Sequence, residues 1–126
     1  MEPVVVKRLD EFENNRGVFY RVRAGLGVTA FGLAVERWPP NSEHYPEHDE
    51  SQMGQEEVYV VLEGSCILRA AEEEHELGPD MFARVGPGIR RKIVPGPDGV
   101  KLLCIGGVPG KIYRAPGFTE SGAPWG

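Results

Sequence analysis

The chain has no long apolar run: the longest, Val58 to Leu62, is five residues, against the roughly 20 that a helix needs to cross a bilayer. Cysteines and histidines are few, and there is no excess of basic charge. Each scarcity excludes a class of protein. The opening "MEPVVVKRLDEFENNRG" meets acids at once and lacks the apolar segment and small-residue cleavage site of a secretory signal. The expectation is a cytoplasmic protein with no membrane partner. The two cysteines, Cys66 and Cys104, lie within the apolar runs "SCILRA" and "LLCIGG", where a thiol behaves as a small buried hydrophobe, and a structural disulfide does not suit a reducing compartment. Fourteen basic residues against 19 acidic ones give a net charge of -5, which weakens the attraction on which non-specific nucleic-acid binding depends. The basic cluster "RRK" at 90–92 is too short to reverse that, so nucleic acid is not an expected partner.

What remains is a chain of 126 residues, enough for one domain with its own core. Seventeen glycines and 11 prolines are spread as punctuation between β-rich runs, which describes many short strands. The runs expected as strands are 18–23, 28–38, 57–64, 65–70, 81–85, 90–94 and 100–106, rich in valine, isoleucine, tyrosine and phenylalanine, which suit a pleated, half-buried surface. Between them "EG" (63–64), "EEE" (72–74), "GPD" (78–80), "GPG" (86–88) and "PGPDG" (95–99) supply turn chemistry. Strands at this spacing predict an all-β sandwich or barrel, with a core over about 18–108 and an irregular tail over 109–126. A short helical turn is expected over 7–13, where Leu9 and Phe12 are three apart.

The stretch "HYPEHDESQMGQEEVYVVLEG" carries the chemistry. In an extended strand Glu57, Tyr59 and Val61 share one face, while Val58, Val60 and Leu62 share the other. Both faces are largely apolar, so Glu57 points into a barrel interior, where an ionised carboxylate is costly unless a cation or hydrogen-bond donors meet it. Two partners are available: a metal ion held with His44 and His48, or a basic side chain from "GPGIRRKIV", where Arg91 faces inward if Arg90 and Lys92 face out. Tyr59 and Phe82 are expected as core aromatics and His75 as an exposed hairpin residue.

A glutamate, six residues and a glycine (Glu57 to Gly64), preceded by a histidine-bearing loop, resemble the first motif of the cupin superfamily, and "LGPDMFARVGPGIRRKI" resembles its second. The resemblance implies a double-stranded β-helix, the jelly-roll barrel, and a homodimer. It also implies four metal-ligand positions. His48 matches a first-motif histidine, Glu50 stands where its partner histidine would be, Glu57 matches the glutamate, and the second-motif histidine falls on Arg91.

Since a guanidinium is always charged and can meet a carboxylate in place of a metal, the expected protein binds a small polar or anionic molecule in its barrel, with no metal cofactor. Its pocket would be lined by His48, Glu57, Tyr59 and Arg91. The alternative is a metal-dependent dioxygenase or isomerase that holds iron, manganese or nickel on His44, His48 and Glu57, with Glu50 able to replace His44. A third reading is a metal-free enzyme in which His48 transfers a proton and Arg91 steadies an enolate or carboxylate.

Overall fold

In the computed structural model, which describes residues 2–124, the chain runs through a 3-10 turn (Leu9–Glu11), β1 (Asn14–Asn15), β2 (Phe19–Tyr20), α1 (Val22–Leu26), β3 (Gly32–Trp38), β4 (Glu56–Ala70), β5 (Glu73–Leu77), β6 (Phe82–Val85) and β7 (Arg91–Gly107). All pairings are antiparallel, in the order β1-β2-β3-β7-β4-β5, with β6 on β4. The fold class is the expected all-β jelly roll. No described helix is long and apolar enough to cross a membrane.

Two strands are much longer than the sequence suggests. The runs 57–64 and 65–70 are one strand, β4, and 90–94 and 100–106 are joined in β7. The "EG" and "PGPDG" segments, expected as turns, are irregularities where these two strands bend together: the register shifts between Val61 and Glu63 and again between Gly64 and Cys66. Gly64 has φ 75°, and a Cβ there would collide with the Gly99 carbonyl oxygen. Only glycine permits this close crossing. The bend lets one end of β4 pair with β6 and the other with β5.

Other differences have local causes. The run 18–23 is a strand only at Phe19–Tyr20, because the chain then turns into α1, which ends at the left-handed Gly27. Of "EEE", only Glu72 is in the turn, with Ala71; both have positive φ, and Glu73 onward extends as β5, where His75 is exposed. Phe82 is 72% exposed, not a core residue: on the short strand β6 it faces away from the barrel interior that receives Tyr59, to whose neighbour Val60 it pairs.

Alternation on the sheet sorts the apolar residues into two layers. Tyr59, Val61, Leu68, Ile93, Leu102 and Cys104 pack inside with Trp38 and Tyr45, while Val35 and Leu103 face the other side and are covered by Phe12, Tyr20 and Val22. Leu9 joins that outer layer, so the expected helical turn holds the N-terminal segment on the back of the sheet. The tail beyond β7 folds over the barrel mouth. Buried Arg21 holds it there by donating to the carbonyls of Phe118 and Ala123, each at 3.1 Å, and to Glu13 Oε1 at 3.1 Å.

Candidate functional site

Glu57 enters the barrel near the start of β4, between Gly106 of β7 and Val85 of β6. Arg91 comes from the opposite direction: its backbone pairs with Ala70 at the far end of β4 and also forms a bridge with His48, with His48 N to Arg91 O at 3.0 Å and Arg91 N to His48 O at 2.8 Å. Residues paired in this way project their side chains to the same face, and His48 and Arg91 therefore converge on Glu57. Arg91 is wholly buried, with Nη1 donating to Glu57 Oε1 at 2.7 Å and Nη2 to the Gly86 carbonyl at 2.6 Å. Tyr59 donates to the same Oε1 at 2.8 Å and shares a 3.2 Å hydrogen bond with Tyr45. Glu57 Oε2 has no hydrogen-bond partner among the described residues.

The histidine is fixed from both sides. Nδ1 lies 2.9 Å from the Pro46 carbonyl, which can only accept, so Nδ1 carries a hydrogen. Nε2 then faces Glu50 Oε2 at 2.9 Å and Glu57 Oε1 at 3.9 Å. The bond to Glu50 raises the His48 pKa, against the opposing effect of burial. Burial likewise pushes the Glu57 carboxyl up, reinforced by the charge of Glu50 and opposed by Tyr59, Arg91 and His48.

A cavity of about 820 Å³ opens from this cluster toward the tail. Glu57, Glu50, His48 and His44 line it; Tyr59 and Arg91 do not, because their polar ends are turned onto Glu57 and they stand one layer behind the wall. The sequence leads one to expect both in the lining. Glu36 also lines the cavity and was not anticipated. The signal was present, since Glu36 alternates with Val35 and Arg37 and so shares the inward face of Trp38. The tail residues Tyr113 and Phe118 and the helix residue Arg23 complete the outer wall.

His48, Glu50 and Glu57 offer ligand atoms within 4.8 Å of one another, a group that could gather round a metal ion. Glu50 takes the place given to His44, which lines the cavity outside this group. With Nδ1 held by the Pro46 carbonyl, Nε2 is the nitrogen that could ligate, but only after giving up its hydrogen bond to Glu50. The charge of the surroundings is against a resident divalent ion, however, because the Arg91 guanidinium lies 2.7 Å from Glu57 and 3.8 Å from Glu50. A guanidinium this close to two of the three groups repels a cation held between them, which weighs against an ion resident on this set.

No family model matches the chain, and no curated protein matches it. Solved structures do. A cupin protein from Bacteroides fragilis superposes with a TM-score of 0.68 at 19% identity over 99% of both chains. A Thermus thermophilus protein gives 0.64 at 21% identity over 82% of this chain and 96% of its own. A sugar phosphate isomerase from a cupin superfamily, from Silicibacter pomeroyi, gives 0.61 at 22% identity over 78% and 59%. The chain has the fold of the cupin superfamily. At these identities the likeness defines the barrel and leaves the chemistry to the residues within it.

Proposed function

We propose that this protein binds a small polar molecule inside its barrel without a catalytic metal. The observation that carries this reading is the 2.7 Å pairing of Arg91 with Glu57 at the inner end of a cavity of about 820 Å³. The cavity is of the size that ordinary small ligands fill. The guanidinium balances the buried carboxylate and orients it, and Glu57 Oε2 is left to accept a hydrogen bond from a ligand. His48 presents a second polar group beside it. The anionic ligand expected from Arg91 loses its basis, since that guanidinium is committed to Glu57 and Gly86.

The competing reading, a metal-dependent enzyme, rests on the His48, Glu50 and Glu57 group. A screen of small fragments followed by the NMR signal of the Trp38 indole N–H, which lies in the cavity wall, separates the two. Saturable shifts that persist with a chelator present are expected. Shifts that appear only with added manganese, iron or nickel would favour the enzyme, and no saturable shift from any fragment would end the binding reading.

A further inference from the structure

Three glutamates line the cavity: Glu50 and Glu57 lie together beside His48, and Glu36 has unlike surroundings. Glu57 is met by Arg91, while the partners of Glu36 are both neutral donors: Trp38 Nε1 to Oε1 at 2.8 Å and Cys104 Sγ to Oε2 at 3.6 Å. Among the described residues no basic side chain lies within ion-pairing distance of Glu36. The other charged groups lining the cavity are differently placed. His48 is paired with Glu50, Arg23 lies 3.0 Å from Glu120 of the tail, and Arg16 is exposed at the rim. Glu36 is therefore a carboxyl group in the wall of a partly open cavity, with no cation within ion-pairing distance among the described residues.

The rest of the wall supplies what an organic cation needs. Phe19, Trp38, Tyr45, Tyr113 and Phe118 all line the cavity, with Trp38 and Tyr45 edge-on at 5.4 Å and Phe19 and Phe118 tilted at 5.5 Å. Ring faces attract cations, and most strongly where water is excluded. An ammonium group would find the Glu36 carboxylate, the unpaired Oε2 of Glu57 and the rings of Trp38 and Tyr45 in the same wall, while its hydrocarbon body lay against Phe19 and Phe118. A carboxylate-bearing ligand would face like charge at that end, and a neutral alcohol would gain only hydrogen bonds.

We propose that the barrel takes an organic cation, an amine with an apolar body, and that Glu36 is the residue that selects it. The proposal rests on the small-molecule reading above and names the class of ligand. It also accounts for a carboxyl group that burial disfavours: Glu36 is pushed up from its ordinary range mainly by desolvation, and a bound ammonium group would bring it back down.

Three probes of matched shape test it: phenethylamine, 2-phenylethanol and 3-phenylpropionate, titrated separately into the full chain at neutral pH while the Trp38 indole signal is followed. The amine is expected to bind at least about tenfold more tightly than the alcohol, with the carboxylate weakest. Glu36→Gln should remove the preference, and Glu36→Asp, which keeps the charge on a shorter arm, should retain its sign. A melting curve shows that each variant is folded. Equal binding of amine and alcohol, or a preference that survives in Glu36→Gln, would overturn the selection by Glu36 while leaving the small-molecule reading standing. If the broader fragments bind and the amine does not, the organic-cation class is wrong. If nothing in either set binds, the small-molecule reading itself fails.

Discussion

Glu36 and Glu57 sit on the two strands that flank β7, both turned into the barrel, and they differ in what meets them. Glu57 has a guanidinium and a phenol on one oxygen. Glu36 has an indole and a thiol, which donate hydrogen bonds but carry no charge. Burial raises the pKa of both; at Glu57 the Arg91 guanidinium opposes it directly, whereas at Glu36 the opposition comes from the two neutral donors and, last, from the charge of His48. The comparison separates two uses of a buried acid. Both line the cavity; at Glu57 the charge is balanced within the protein and only Oε2 is left without a donor, whereas at Glu36 both oxygens have donors but the charge is left for a ligand to balance.

Breaking the pair of Arg91 and Glu57 should have the largest effect. Arg91→Met leaves the half-buried Glu57 with only the more distant His48 as a cation and should destabilise the fold by about 3–5 kcal/mol in chemical denaturation. Adding Glu57→Gln to it should recover much of that loss; a double variant no better than Arg91→Met would mean that the arginine acts mainly through the Gly86 carbonyl. Tyr59→Phe removes the phenol from Glu57 Oε1 and from Tyr45, and should cost about 1–3 kcal/mol by the same measurement.

Glu36 should respond with the opposite sign. Glu36→Gln keeps an acceptor for Trp38 and removes a desolvated charge, so it should stabilise the ligand-free protein at neutral pH by about 1 kcal/mol. The pH dependence sharpens this. Because the Glu36 pKa is raised from the usual 4.5, the folded state holds more protons than the unfolded one between 4.5 and the raised value. Stability from this group falls as pH climbs through that window. Glu36→Gln should flatten the fall, and a melting temperature that drops in the variant at neutral pH would show that the carboxylate is stabilised by something other than its two neutral donors.

His48 should give the smallest change. Its pKa is raised above the usual 6.5 by the bond to Glu50, so its contribution is present in full below 6.5 and is lost as pH rises through the raised value. His48→Gln should remove that slope at a cost of less than about 1 kcal/mol, given the partial exposure of the pair. An unchanged slope would assign the titration to another group.

How far the chain could be read without coordinates follows from the range of each signal. Period-two alternation around Tyr59 gave the inward face of Glu57, and the offset between Arg90 and Arg91 gave the inward guanidinium, because strand parity needs only neighbours in sequence. The joining of strands through Gly64 and Gly99 was hidden, since glycine and proline punctuate a bulge as readily as a turn. Helix α1 was missed because "YRVRAGLG" begins with residues that also suit a strand. Glu36 was visible in parity but stood outside any motif, and its lack of a counter-charge is a property of three dimensions. The tail's place at the cavity mouth depends on Arg21 reaching residues about 100 positions later, a contact with no local trace.

The claim that Arg91 has taken over the work of a metal ion is tested most directly by the transition-metal content of protein purified without chelators, measured by elemental mass spectrometry alongside His48→Ala. The account predicts far less than one ion per chain in both. Close to one iron, manganese or nickel per chain, retained through dialysis and lost in His48→Ala, would contradict it.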